Sequence, residues 1–244
     1  MKTMILCAGL GTRLKPWTDL HPKALVPVGG IPMLKRVAER LMAQGFDEIV
    51  INIHHFSDQI IEFVDSCPEL RGKVRFSDES ANLLDTGGGI LHAEESLGSD
   101  DRPFLVHNVD ILSNADLNFL MSRQLESGRH VSLLVSDRKS DRKLVFDKDM
   151  KLKGWVNKKT GQTRPVDLNI FSTDTMLSFS GIYVMSPDVF GLMRENDFNG
   201  CFPIMDFFLS GIPELRIGGV VQNNLEIIDI GKPDTLHRAN LEIQ

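Results

Sequence analysis

The chain predicts an α/β fold: a mixed, mainly parallel sheet flanked by helices and carrying a small antiparallel cap. Three observations carry that expectation. Apolar, β-branched runs alternate with amphipathic stretches through the first half, the pattern of βαβ units. A charged meander of short strands then interrupts the alternation, which resumes toward the C-terminus. The 244 residues, 42% apolar and 25% charged, suffice for one large α/β domain rather than for a second independent one.

Residues 4–8 read as the first strand, 33–44 as an amphipathic helix stopped by Gly45, and 48–53 as a β-branched second strand. A helix follows over 57–65 with Ser57 as its N-cap, then a strand at 74–76, a helix at 89–97 and a strand at 104–108. The middle of the chain gives strands at 130–135, 144–147 and 152–157, with a dense charge run at 136–143 and a turn at 148–150. Residues 158–174 are polar and read as a mobile loop at the cap's edge. A strand at 179–185, helices at 187–194 and 202–210, a strand at 226–230 and a helix at 233–243 complete the chain.

The turn after the first strand is the chemically richest segment. Leu6-Cys7-Ala8-Gly9-Leu10-Gly11-Thr12-Arg13-Leu14-Lys15-Pro16, followed by His21-Pro22-Lys23, delivers backbone N–H groups and cations from a strand end, which suits a polyphosphate. Neither common phosphate loop is present. A dinucleotide fingerprint requires glycine where Leu14 stands, and GxxxxGK[ST] does not occur here. Asp110 falls just beyond a strand, so it shares with the glycine turn the carboxyl edge of the sheet, where ligands bind in such folds.

Charge and cysteines narrow the function classes. A net charge of −6 argues against a nucleic-acid partner, while a local cationic loop fits a small anion. Cys7, Cys67 and Cys201 are odd in number, widely spaced and without zinc-ligand spacing, as in a disulfide-free cytoplasmic protein. Cys7 reads as a core residue rather than a nucleophile, since no local motif ties a histidine to it. The N-terminal residues run into a short strand without a signal-peptide core or a membrane span, so no membrane partner is expected.

The combination of Gly9-x-Gly11-Thr12-Arg13, Pro16-x-Thr18 and Pro22-Lys23, over most of residues 6–32, resembles the sugar-1-phosphate nucleotidylyltransferases, or nucleotide-sugar pyrophosphorylases. The resemblance implies a Rossmann-like, GT-A-like fold in a single domain, 1–244, with a sugar-binding cap near 136–180. It implies Mg²⁺ as cofactor, an NTP and a sugar 1-phosphate as substrates, and cytoplasmic synthesis of a nucleotide sugar for cell-envelope polysaccharide. A homo-oligomer is compatible with it.

Residue roles follow from the same resemblance. Leu6, Ala8, Gly9, Gly11, Thr12 and Arg13 would bind the nucleotide, with Arg13 on the β- and γ-phosphates and Lys23 bridging the α-phosphate and the attacking sugar phosphate. Glu79 stands where the family reads the base edge, and it serves the uracil ring N–H or the guanine donors alike. Gly87 and Gly88, in Asp85-Thr86-Gly87-Gly88-Gly89, would let a base approach the backbone. Asp110 and Asp229, each after an apolar run, are the implied metal ligands, hard oxygens suited to Mg²⁺. Val109 stands where the family usually has a small residue. The attacking phosphate, with a second pKa of about 6, needs no general base, so His54, His55 and His107 take no catalytic role. Lys158, Ser180 and Gly181 would hold the sugar phosphate from the cap, with Asp206 a neighbour. The family's Glu-Lys-Pro is Asn157-Lys158-Lys159 here, and its cap glycine is missing around Arg142-Lys143. The Asp-Thr-Gly-Gly-Gly run looks most like the N-acetylmuramate 1-phosphate uridylyltransferase branch, which favours UTP. A GTP-using mannose- or heptose-1-phosphate guanylyltransferase and a non-catalytic nucleotide-sugar sensor are the alternatives.

Overall fold

The computed structural model describes residues 1–242. β1 (Lys2–Leu6) leads through single-turn 3-10 helices at Thr12–Leu14, Trp17–Asp19 and Lys23–Leu25 into a hairpin, β2 (Pro27–Val28) and β3 (Ile31–Pro32). The first half continues with α1 (Met33–Ala43), β4 (Glu48–Ile53), α2 (Ser57–Ser66), β5 (Val74–Asp78), α3 (Asp85–His92), α4 (Glu94–Leu97), β6 (Phe104–Asn108) and β7 (Ile111–Ser113). After α5 (Leu117–Ser127) and β8 (Val131–Ser136) come the cap strands β9 (Arg142–Phe146), β10 (Leu152–Asn157) and β11 (Thr163–Arg164), then the long β12 (Thr175–Met185). α6 (Asp188–Glu195), α7 (Ile204–Phe208), β13 (Ile217–Val221), β14 (Ile227–Asp229) and α8 (Pro233–Glu242) follow.

One sheet joins ten of these strands. β5, β4, β1 and β6 run parallel, and β12 lies antiparallel beside β6. β8 pairs antiparallel with β12, and β13 parallel with β8. The first residues of β12 pair with β9, which leads on to β10 and β11, so the cap is an extension of the main sheet.

Alternate residues of the central strands enter opposite cores. Ile5, Ile49, Ile51 and Leu105 pack with Leu34, Val37 and Leu41 of α1 and Leu120 of α5. Met4, Val50, Phe104 and Val106 pack with Val189 and Phe190 of α6 and Ile204 and Phe207 of α7. Burial on both faces is why these strands read as near-continuous apolar runs. Helix α1 forms because Met33, Leu34, Val37, Ala38 and Leu41 recur at helical spacing and all bury. Helix α5 is capped by Asp116, whose Oδ1 accepts the Phe119 N–H at 2.8 Å, and it stops at Gly128.

Several elements differ from the expectation. The first strand occupies Lys2–Leu6 rather than 4–8, because the Cys7 N–H turns to the Asn52 side chain at 2.7 Å instead of to a strand neighbour. Ser57 lies inside α2, and Phe56, in the left-handed region, holds the cap position. The helix expected over 89–97 starts at Asp85 and divides at Ala93, so all three glycines are helical. Its first-turn N–H groups, which a helix leaves unpaired, find an acceptor: Gly87 and Gly88 both donate to the Phe202 carbonyl, at 2.9 and 3.1 Å. The helix expected over 202–210 shrinks to α7, since the Phe202 N–H is spent on the Leu84 carbonyl. Within 158–174 lies β11, and the Asn157 side chain orders the preceding turn by accepting the Lys159 N–H at 3.0 Å. β2, β3, β7, α5 and β13 have no counterpart in the sequence-based expectation. Ile243, the last residue of the expected terminal helix, and Gln244 lie outside the described residues.

Candidate active site

The carboxyl ends of three neighbouring parallel strands build the floor of a cavity. Leu6 of β1 stands in register with Asn52 of β4 on one side and Asn108 of β6 on the other, and all three line a space of about 430 Å³. The glycine turn forms one wall, from Cys7 to Arg13. Gly11 sits at φ +64°, and a Cβ there would come within 2.8 Å of Lys23 and 2.9 Å of Thr18. Its carbonyl accepts the Thr18 hydroxyl at 3.0 Å. Only glycine permits that approach, and the approach delivers Lys23 to the cavity.

The charged centre is assembled from distant parts of the chain. Lys23 Nζ donates to Asp110 Oδ2 in a tight ion pair whose side chains are 14% and 13% exposed. Asp229 closes β14, which pairs antiparallel with β7 so that Asp229 stands opposite Ile111, next to Asp110. The Asp110 carbonyl accepts the Ile230 N–H at 2.9 Å, and Asp229 Oδ1 accepts the Gly231 N–H at 2.8 Å. Gly231 marks the middle of the cluster: a Cβ there would lie 2.7 Å from Arg13 Nη2, 2.8 Å from Asp229 Oδ1 and 3.1 Å from Asp110 Oδ2. Two cations and two carboxylates share one small space.

That donor set fits Mg²⁺. The ion takes hard oxygens, usually one or two carboxylates, and completes its octahedron with water and substrate phosphate oxygens. Among the described residues no group of three or more His, Cys, Asp or Glu side chains could hold an ion. Two carboxylates such as Asp110 and Asp229 could hold such an ion only with water or substrate oxygens completing its coordination.

The other predicted residues fall in different places. Glu79 is 2% exposed and does not line the cavity; it accepts from Asn52 Nδ2 at 2.7 Å and from the Leu84 N–H at 3.2 Å, and burial raises its pKa above the ordinary carboxyl value. Through Asn52, which also holds the Cys7 N–H, it ties the glycine turn to the opposite wall of Leu83, Asp85 and Thr86. Gly87 and Gly88 also lie off the cavity, their missing Cβ atoms facing the Phe202 ring and the Gly200 carbonyl, so they serve the packing of α3. Ser180 is buried with its hydroxyl on the Ile182 backbone. Gly181, at φ +80° where β12 slips against β8, backs Asn108, whose Nδ2 would be 2.8 Å from a Cβ there. Lys158 is exposed away from the cavity, and Asp206 pairs with Arg164 at 2.8 Å, joining β11 to α7. Asn52, Leu83, Asp85, Thr86, Asn108, Val109 and Gly231 line the cavity without having been singled out as site residues. For Asn52 and Asn108 the signal was available, an amide near the carboxyl end of an apolar strand.

The profile of the nucleotidyl transferase family matches residues 2–244. The chain belongs to that family. The N-acetylmuramate α-1-phosphate uridylyltransferase of Caulobacter vibrioides is 41% identical over 110 residues, 44% of each chain. The mannose-1-phosphate guanyltransferase of Aspergillus oryzae is 32% identical over 192 residues, 78% of this chain and 50% of the relative. The chain spans about half the length of the curated relatives it matches. Among solved structures, HddC of Yersinia pseudotuberculosis superposes with a TM-score of 0.78 at 25% identity, covering 100% of this chain and 99% of that one. A UDP-glucose pyrophosphorylase complexed with UDP-glucose gives 0.76 at 18% identity, over 99% and 97%, a likeness of fold alone.

Two further groups in this member of the family invite a chemical role and are excluded by burial. Cys7 is 3% exposed, and its desolvation pushes the thiol far above its ordinary pKa, so no thiolate forms. His107 is 1% exposed and is brought down to about 4, which leaves the imidazole neutral at physiological pH. No helix among the described residues is long and apolar enough to cross a membrane.

Proposed function

We propose that this nucleotidyl transferase uses Mg²⁺ to move a uridylyl group from UTP onto a sugar 1-phosphate, releasing pyrophosphate. The reading is carried by the convergence of Arg13, Lys23, Asp110 and Asp229 around Gly231, at the carboxyl ends of the parallel strands. Joining a sugar phosphate to a triphosphate brings two anions together, and positioned cations lower that barrier. Arg13, exposed on the rim, reaches the β- and γ-phosphates and stabilises the departing pyrophosphate. Lys23, held inward by Asp110, meets the α-phosphate and the incoming phosphate oxygen. Backbone N–H groups of the glycine turn receive the remaining phosphate oxygens. Asp110 and Asp229 would hold Mg²⁺, which when bound supplies charge neutralisation and alignment of the phosphates. The attacking phosphate is ionised at neutral pH and requires no base.

UTP is supported by the N-acetylmuramate α-1-phosphate uridylyltransferase relatives, which match at higher identity over shorter stretches, and by a UTP–glucose-1-phosphate uridylyltransferase that is 28% identical over 96% of this chain. The guanyltransferase of Aspergillus oryzae, 32% identical over 78% of this chain, makes GTP the second reading. The test incubates the protein and Mg²⁺ with each of four NTPs against glucose, mannose, N-acetylglucosamine and N-acetylmuramate 1-phosphates, following pyrophosphate. UTP-dependent release is expected. Release with GTP alone would move the assignment to guanylyl transfer, and silence in every pairing would leave a nucleotide-sugar-binding protein without transfer.

A further inference from the structure

The floor of the cavity holds a buried amide with one donor left over. Asn52, near the end of β4, is 3% exposed and lines the cavity. Its Oδ1 accepts the Cys7 N–H at 2.7 Å, and its Nδ2 donates to Glu79 Oε1 at 2.7 Å. Those two partners fix which way the amide faces, since the Cys7 N–H requires an acceptor and the carboxylate a donor. Nδ2 carries two hydrogens, and among the described residues only Glu79 accepts from it. A buried donor without an acceptor is costly, and a residue that lines a cavity finds its acceptor on the ligand.

The place of Asn52 on the floor selects the part of a nucleotide that it meets. Asn52 and Asn108 flank Leu6 in register on the two neighbouring strands, so about 10 Å separates the Asn52 end of the floor from the Asn108 end, beside Asp110. With the α-phosphate at Lys23 and Asp110, the nucleoside lies across Leu6 and its far end reaches Asn52. Leu6 and Leu83 line the same space and offer apolar surface to the faces of a base ring. On the edge of a base remote from the sugar, uracil and guanine carry a carbonyl oxygen, an acceptor, where cytosine and adenine carry an amino group, a donor. Glu79 stays behind Asn52, outside the cavity lining, with its Oε2 accepting the Leu84 N–H at 3.2 Å. A Cβ on Gly89 would stand 2.5 Å from Glu79 Oε1 and 3.0 Å from Asn52 Nδ2, so glycine is what lets α3 pack against the pair.

Resting on the transfer reading above, we infer that Asn52 determines base specificity: its free amide hydrogen donates to the carbonyl oxygen remote from the sugar, O4 of uracil or O6 of guanine. Glu79 is the positioning residue that aims this amide, and it does not touch the nucleotide.

The test measures kcat/KM by pyrophosphate release for UTP against CTP and for GTP against ATP, with the sugar 1-phosphate that the protein accepts. In the pair that contains the preferred nucleotide, the carbonyl base should lead by about tenfold or more. Asn52→Ala should lower that ratio by about tenfold. The decisive variant combines Asn52→Asp with Glu79→Gln. The exchange preserves the internal bonds to the Cys7 N–H, between the two side chains and to the Leu84 N–H, yet it presents an acceptor to the cavity where the parent presents a donor. Its ratio should fall about a hundredfold below the parent's, with use of the amino base rising. Each ratio is taken on one preparation, so partial misfolding does not move it, and Asn52→Ala decides the matter if the exchanged pair fails to fold. A merely structural tie would weaken all four nucleotides alike in Asn52→Ala and leave the exchanged pair at the parent's ratio; that result would overturn the inference and leave the transfer reading standing. A ratio altered by Glu79→Gln alone and untouched by Asn52→Ala would overturn it as well, by placing Glu79 on the base. Pyrophosphate from no pairing would overturn the transfer reading, and this inference with it.

Discussion

Gly231→Ala should leave the fold standing and remove most of the activity. The new Cβ would stand 2.7 Å from Arg13 Nη2, 2.8 Å from Asp229 Oδ1 and 3.1 Å from Asp110 Oδ2, where van der Waals contact needs about 3.5 Å. All three neighbours are side-chain ends, so the strain is relieved by pushing charged groups aside by roughly 0.5–1 Å rather than by moving backbone. Gly231 is not among the residues with positive φ, so alanine is unstrained there. Restricting the unfolded chain contributes about 0.5 kcal/mol in favour, against about 1.5 kcal/mol of overpacking. The net cost is about 1 kcal/mol, equivalent to a Tm lowered by about 3 °C in a chain of this size. Misplacement near 1 Å at a reacting centre costs on the order of a hundredfold in rate. The assay is pyrophosphate release at saturating substrates, run beside a thermal melt. A kcat within about threefold of the parent, in a protein with the parent's Tm, would refute the idea that the missing side chain keeps Arg13 and the two carboxylates in place.

Asp110→Asn and Asp229→Asn should each abolish pyrophosphate release, as should EDTA. Only Asp110→Asn strips the nearly buried Lys23 ammonium of its partner, so it alone should lower the unfolding free energy in urea, by about 3 kcal/mol. His107 titrates near 4 in the native protein and near 6.5 when unfolded. The unfolded state therefore binds a proton that the native state refuses, and stability falls as pH drops from 6.5 toward 4, by about 3 kcal/mol across that window, then levels off. A difference between the parent and His107→Gln that stayed constant with pH would contradict this. Gly88→Ala drives a Cβ onto the Gly200 carbonyl, a backbone atom that cannot swing aside, and should cost about 3 kcal/mol in a thermal or urea melt. A melt unchanged from the parent would refute the packing role of Gly88.

What could be read from the residues was what local spacing encodes. The strand end, the glycine turn, Arg13, Lys23 and an aspartate after each of two apolar runs are contiguous patterns, and the structure brings these four side chains together. Features decided by tertiary contact were opaque. The run from Gly87 to Gly89 looks like a ligand loop, yet the Gly87 and Gly88 amides and the bare Cα atoms of all three are taken up by the 200–202 segment and by Glu79. Strand β13 hides because Gly218 and Gly219 depress its β signal; the glycines make room for the Arg129 guanidinium and for Phe146 and Met150. Helix α5 was recoverable, since Asp116, the spacing of Leu117, Leu120, Met121 and Gln124, and Gly128 mark its start, face and end.

The ribbon of β7 and β14 sets an order of events in time. The Glu226 N–H reaches Asn114 Oδ1 across 112 residues of sequence, and Asp229 arrives beside Asp110 by the same ribbon. Closure over such a distance comes late in folding. The glycine turn, Lys23 and Asp110 lie within the first 110 residues, so Asp229 is the part of the cluster that the chain supplies last. The linear order of the residues thereby sets when each part of the cluster becomes available as the chain is made.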